Sequence, residues 1–309
     1  MNGLVRAYSC FDFRLRSEIV LDELIPAEDD DARPLVDVRL GDVPETLPGA
    51  TASEYSLQVA GGTALLTVRN IARFLIRDGS EIVVDPHPGG SERNMRLFLL
   101  GSALGVLCHQ RGLLPIHANA IVADGEAVAF AGPSGAGKST LAAHFQRIGY
   151  EVLCDDVCMI GFDSSGRPYA WPGLPRLKLW GDAVEAFGHR RDSLDQAIEG
   201  QDKYHVPLAA SGAVRPVPFR RLYVLERAEE GEAGGMTALG GRDAMEAVMA
   251  QTYRGLYLAP MGLAQRHFRH CAALLGHARV FVAARHWGYD VFEEEARRLE
   301  SHFQAESQG

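Results

Sequence analysis

The sequence predicts an α/β protein with a phosphate-loop core, a β-rich N-terminal unit and C-terminal helices. Three observations predict it. A glycine-rich segment, Gly132 to Ser139, stands between a strand pattern and a helical one. Up to about Pro86 the chain alternates apolar and polar residues between turn signals. Beyond Asp243, apolar residues recur at three-to-four spacing. The expected division is a β-rich unit over residues 1–90 and a phosphate-loop domain over 91–309.

Within the first unit, Tyr55 to Val59 and Ala64 to Val68 read as strands broken at Gly61-Gly62. Phe74 to Arg77 and Glu81 to Val84 form a hairpin pattern through Asp78-Gly79, a dipeptide that takes positive φ readily. Ser91 then caps a helix whose Met95, Phe98, Leu99, Ser102 and Val106 share one face, and Gly112 ends it. Its apolar stretch, Met95 to Leu107, is roughly thirteen residues long and holds Arg96, whereas a membrane span needs about twenty apolar residues. A buried helix joining the two halves is the expectation.

Next come an apolar strand near Pro115 to Val122, a turn at Asp124-Gly125, a strand from Ala127 to Ala131, the glycine loop and a helix ending near Ile148-Gly149. Glu151 to Cys154 is a short strand running into Asp155-Asp156. Leu222 to Leu225 reads as a buried strand and Glu229 to Gly235 as an exposed acidic loop. Helical patterns around Asp243 to Tyr253, Gly262 to Leu275 and Asp290 to Phe303, with a strand at Val280 to Ala283, close the chain.

With 309 residues, 47% of them apolar, the chain can bury a substantial core. Its 31 Lys and Arg against 40 Asp and Glu leave it acidic, which argues against nucleic acid as a partner. The first residues lack a signal-peptide core, so a cytoplasmic protein without membrane association is expected, with homo-oligomerisation left open. Five scattered cysteines read as reduced thiols. A metal at Cys154 and Cys158, or at His267, His270 and Cys271, is the weaker alternative because zinc-like spacing is missing.

Gly132-Pro133-Ser134-Gly135-Ala136-Gly137-Lys138-Ser139, followed by Thr140, fits a phosphate loop. Its glycines let backbone N–H groups turn around phosphate oxygens, and the helix N-terminus adds positive partial charge. Lys138 reaches the β and γ phosphates and the Ser139 hydroxyl suits Mg²⁺. ATP with Mg²⁺ is therefore the expected ligand. Asp155 and Asp156, at the end of the next strand, supply one carboxylate for the metal and one to take a proton from an attacking hydroxyl. The chain has no Leu-Ser-Gly-Gly-Gln or Asn-Lys-x-Asp motif, and no Glu after the aspartates to activate water, so transporter, switch and motor ATPases lose ground. By itself, His117 reads more readily as a core histidine than as a catalytic one.

Leu114 to Ala118, the loop from Gly132 to Ser139, and Gly149 to Asp156 together resemble the catalytic domain of the HPr kinase/phosphorylase family, whose fold is shared with phosphoenolpyruvate carboxykinases. The resemblance implies Asp155 as base, Asp156 as metal carboxylate and His117 as a neighbour that tunes the base. Further stretches, Arg111 to Ala118, Pro172 to Trp180, Lys203-Tyr204 and Leu222 to Arg227, look closer to HPr-kinase-related proteins encoded with lasso peptide clusters, which phosphorylate a precursor's C-terminal serine. It implies an ATP-dependent serine kinase acting on a peptide or small protein, with Arg176, Lys178 and Lys203 near the γ phosphate or the acceptor. Ala118 and Thr140 depart from the HPr kinase pattern, and the glycine-rich signature loop tied to phosphorolysis is missing. An HPr-type kinase, a nucleotide-binding regulator and a small-molecule kinase remain the alternatives.

Overall fold

A computed structural model describes residues 5–28, 31–54, 56–197, 199–208, 215–229 and 231–307. Tyr55 and Glu230, parts of an expected strand and an expected loop, lie outside them. The chain divides into two compact units: Met1–Pro115 with Ile198–Gln201 and Tyr253–Arg269, and Ile116–Ala197 with Asp202–Thr252 and His270–Gly309. The helix expected beyond position 90 thus belongs to the first unit.

The first unit carries a nine-stranded sheet. Its middle strands, Leu35–Leu40, Glu81–Pro86, Ala72–Arg77 and Thr63–Val68, are adjacent in that order. Val36, Val38, Phe74, Ile76, Ile82 and Val84 are buried along them, as the alternating pattern requires. The hairpin turn has φ of 49° at Asp78 and 64° at Gly79. Ser91 caps the following helix by accepting from the Asn94 N–H. That helix is interrupted: Glu92–Phe98 and Leu104–Arg111 flank a π turn at Leu99–Ala103. At Gly105 a Cβ would lie 3.1 Å from the Tyr253 ring, so the glycine admits the tyrosine against the helix.

The second unit positions the site. Five strands lie side by side in the order Glu151–Cys154, Ala118–Ala123, Glu126–Ala131, Val217–Arg227, Arg279–Arg285. Ala118–Ala123 is antiparallel to both its neighbours, and the other four run in one direction. The residues after those four strands, and His117 before the reversed one, therefore gather at a single sheet edge. Helices Lys138–Arg147 and Phe292–Ala305 pack on this sheet through Phe145, Leu299 and Phe303. Phe130 stacks on Phe145 and Tyr223, and Tyr223 on Phe281. Two antiparallel strand pairs carry no clear signal in the sequence: the hairpin Cys158–Phe162 with Pro168–Trp171, and Arg176–Trp180 with Lys203–Pro207, whose strands are separated by the helix Gly181–Ala186. Both are short or mixed in polarity, and pairing rather than periodicity defines them. Among the described residues, no helix is long and apolar enough to cross a membrane.

Candidate functional site

Gly132 leaves its strand at φ 140°, and a Cβ there would meet the Leu225 carbonyl oxygen at 2.8 Å. Gly135 and Gly137 also hold positive φ, 84° and 82°. Only glycine adopts this run of conformations without strain. The loop closes on itself through Lys138, which is 8% exposed and whose Nζ donates to the carbonyls of Gly132 at 2.8 Å and Pro133 at 3.1 Å. Burial lowers the Lys138 pKa, with Lys203 acting in the same direction and Asp156 opposing.

Ser139, on the first turn of the helix, donates to Oδ1 of Asp155 at 3.0 Å. The same oxygen accepts from Asn119 Nδ2 at 2.5 Å, while Oδ2 accepts from the Lys178 backbone N–H at 2.6 Å. Three donors favour the charged carboxylate. Burial and the neighbouring Asp156 charge outweigh them and push Asp155 up to about 6. Asp156 behaves oppositely. Burial would raise it, but Lys178, whose Nζ lies 2.5 Å from its carboxylate, and Lys203 hold it below the ordinary value, at about 2. Adjacent carboxylates with pKa values driven apart are a pattern suited to separate roles.

The His117 Nδ1–H donates to the Asp156 carbonyl at 2.8 Å, which fixes the tautomer; burial and Lys138 lower its pKa, so the ring is neutral at pH 7. Asp156 sits at φ 63°, a backbone turn that this bond braces. His117 thus touches the backbone of the aspartate pair; the sequence suggested only a neighbour of the base.

A cavity of about 520 Å³ collects His117, Lys138, Ser139, Asp156, Lys178 and Lys203, together with Ser134, Gly135, Ala136, Gly137 and Thr140. Asp155 is not among the described residues lining it; Ser139, which does line it, joins Asp155 to the cavity wall. Lys203 stands 5.7 Å from the Trp180 ring centroid. Arg176, on the same strand as Lys178, directs Nη1 toward His205 at 3.1 Å and is not among the described residues lining the cavity.

Three further residues went unremarked in the sequence. Asn119 is fully buried and follows His117 by two positions on the strand, so period-two alternation could have found it. Gln251 accepts from Gly132 N–H at 3.1 Å through its side chain and from His117 N–H at 2.7 Å through its backbone. Arg285, 3% exposed, donates to the Ala136 carbonyl at 2.7 Å. Burial lowers its pKa to about 10. Neither Gln251 nor Arg285 is near the loop in sequence, and no local signal marks them. Among the described residues, no group of three or more His, Cys, Asp and Glu side chains could hold a metal, and all five cysteines are buried and free.

Fold and site define a mixed α/β protein with a glycine loop and paired carboxylates at one sheet edge. A family model described as SynChlorMet cassette protein ScmC matches residues 90–179, which run from before Ser91 through the loop and the aspartates to Leu179. No curated protein matches. Among solved structures, the HPr(Ser) kinase/phosphatase from Coxiella burnetii is similar at 13% identity and a TM-score of 0.32, over 63% of this chain and 99% of that one.

Proposed function

We propose that this chain is an ATP- and Mg²⁺-dependent serine kinase that phosphorylates a peptide or small protein. One observation carries the reading: Ser139 and Lys138 from the glycine loop meet Asp156 at one cavity, and Ser139 donates from that cavity's wall to Asp155 at 3.0 Å. The loop N–H groups and Lys138 hold the phosphates. The donor set fits Mg²⁺, a hard cation that takes carboxylate and hydroxyl oxygens and completes its shell with phosphate oxygens and water. Ser139 and Asp156 would hold it, and when bound it neutralises charge on the phosphates. Asp155, raised to about 6, is deprotonated at pH 7 yet basic enough to accept the proton of an incoming serine hydroxyl. Lys178 keeps Asp156 charged, and His117 holds the turn that presents it.

The cationic Lys178 and Lys203 line the same cavity and suit an anionic acceptor such as a peptide with a free C-terminal carboxylate. The proposed acceptor is therefore a serine at the C-terminal end of a peptide, consistent with the resemblance to lasso peptide precursor kinases. Incubation with Mg²⁺-ATP and matched peptides, free acid and amide, followed by mass spectrometry, tests it. Phosphate on the terminal serine, faster for the free acid, is expected. Equal rates would remove the C-terminal acceptor and favour an HPr-like protein, and ATP binding without transfer to any hydroxyl would favour the regulator.

A further inference from the structure

The cavity around Lys138 continues to a second group of residues, Asp182, Arg285, Trp287, Tyr289 and Phe292. Sheet order gives this group a position relative to the phosphates. The strand feeding the glycine loop is the third of the five. Asp155 and Asp156 leave the strand two places to one side, and residues 286–289 leave the strand two places to the other. At about 4.8 Å between strands, each of these strands lies about 10 Å from the strand that feeds the loop, on opposite sides of it. A nucleotide whose phosphates lie in the loop with the terminal one toward the aspartates must extend its base the opposite way, toward 286–289.

That end has the surface a base requires. Trp287 is 36% exposed, and the Arg227 guanidinium lies 5.8 Å from its ring centroid, which steadies it. Tyr289 is 54% exposed, and burial together with its hydrogen bond to Asp182 raises its hydroxyl pKa to about 12. Between them Gly288 has φ 149°, and a Cβ there would lie 2.4 Å from Asp290 Oδ1. The turn that displays both aromatics therefore needs glycine. Arg285, two residues before Trp287, ties the segment to the Ala136 carbonyl in the loop. Aromatic faces open to a cavity offer a base a platform on which to stack. Trp180, two residues after Lys178 and next to Lys203, belongs to the aspartate end instead.

We propose that Trp287, with Tyr289 and Asp182 at its rim, is the nucleobase subsite of this cavity and stacks a purine base. The assignment rests on the nucleotide reading above and adds where the base lies. Calorimetry on the full chain with Mg²⁺ compares ATP with inorganic tripolyphosphate, which has the phosphates but no base. Trp287→Ala should weaken ATP by roughly ten-fold to a hundred-fold and leave tripolyphosphate unchanged, with Trp287→Phe close to wild type. Equal weakening of both ligands, or of neither, overturns the subsite while leaving a phosphate site intact. Wild-type protein binding neither ligand overturns the nucleotide reading itself, and this subsite with it. If Trp287→Ala does not fold, the fluorescence quench by ATP that wild type shows and Trp287→Phe lacks answers the same question, and an identical quench in both proteins refutes the subsite.

Discussion

Replacing Asp155 with Asn separates chemistry from stability. Raising this carboxyl from 3.8 to about 6 on folding means that the charged form costs the folded state up to ~3 kcal/mol at pH 8, since a tenfold change in proton affinity is about 1.4 kcal/mol. The sign follows from an acid whose pKa rises on folding: the folded state binds the proton more tightly. Stability from this group is greatest below pH 3.8, declines as pH rises through 6, and is about half lost by pH 5. Asn carries no such cost. It can keep the bonds from Asn119 and Ser139 on its carbonyl oxygen, but its amide then faces the Lys178 N–H, donor to donor. That lost bond costs about 1–3 kcal/mol. The two effects offset, so at pH 8 Asp155→Asn should be as stable as wild type or up to ~2 kcal/mol more so, and its advantage should shrink by about 1–2 kcal/mol at pH 5. Transfer should fall by about 10²- to 10⁴-fold. Wild-type kcat/KM should lose about tenfold per pH unit below ~6. Denaturant melts at both pH values beside a transfer assay check all three. A variant strongly destabilised at pH 8, or one that transfers phosphate normally, would refute the reasoning.

Lys138→Ala should cut transfer by about 10²- to 10³-fold while melting stays near wild type, because the buried ammonium's desolvation cost disappears with its bonds to Gly132 and Pro133; near-normal turnover in the folded variant argues against the nucleotide site. Asp156→Asn should raise the Mg²⁺ concentration needed for half-maximal rate with nucleotide binding retained, and a Mg²⁺ titration indistinguishable from that of Asp155→Asn would show that the two carboxylates share one role. Gly132→Ala should cost about 1–3 kcal/mol, since φ 140° is unsuited to alanine and the new Cβ meets a backbone oxygen; an unchanged melting curve would place the loop in another conformation.

Much of the local order was legible along the chain. The hairpin at Asp78-Gly79, the cap at Ser91, the strand before Gly132 and the helix after it all rest on interactions between residues a few positions apart, and such interactions leave a period or a turn signal. The glycine loop is of this kind, because its positive φ values require glycine whatever the rest of the chain does. The π turn at Leu99–Ala103, where Tyr253 packs at Gly101 and at Gly105 just beyond, was not legible, since periodicity alone predicts a regular helix. Sequence also placed Asp155 and Asp156 side by side, but the residues alone did not say which was the base; only the family resemblance did. Tertiary structure made them different: Asn119, Ser139 and the Lys178 backbone surround one, and the Lys178 ammonium faces the other. Arg285 and Trp287 reach the loop region because their strand ends at the common edge, and Gln251 because the helix Gly241–Ala250 ends beside it. Charge separation and burial depend on which groups approach through space, and that information resides in strand order, which no window of the sequence contains.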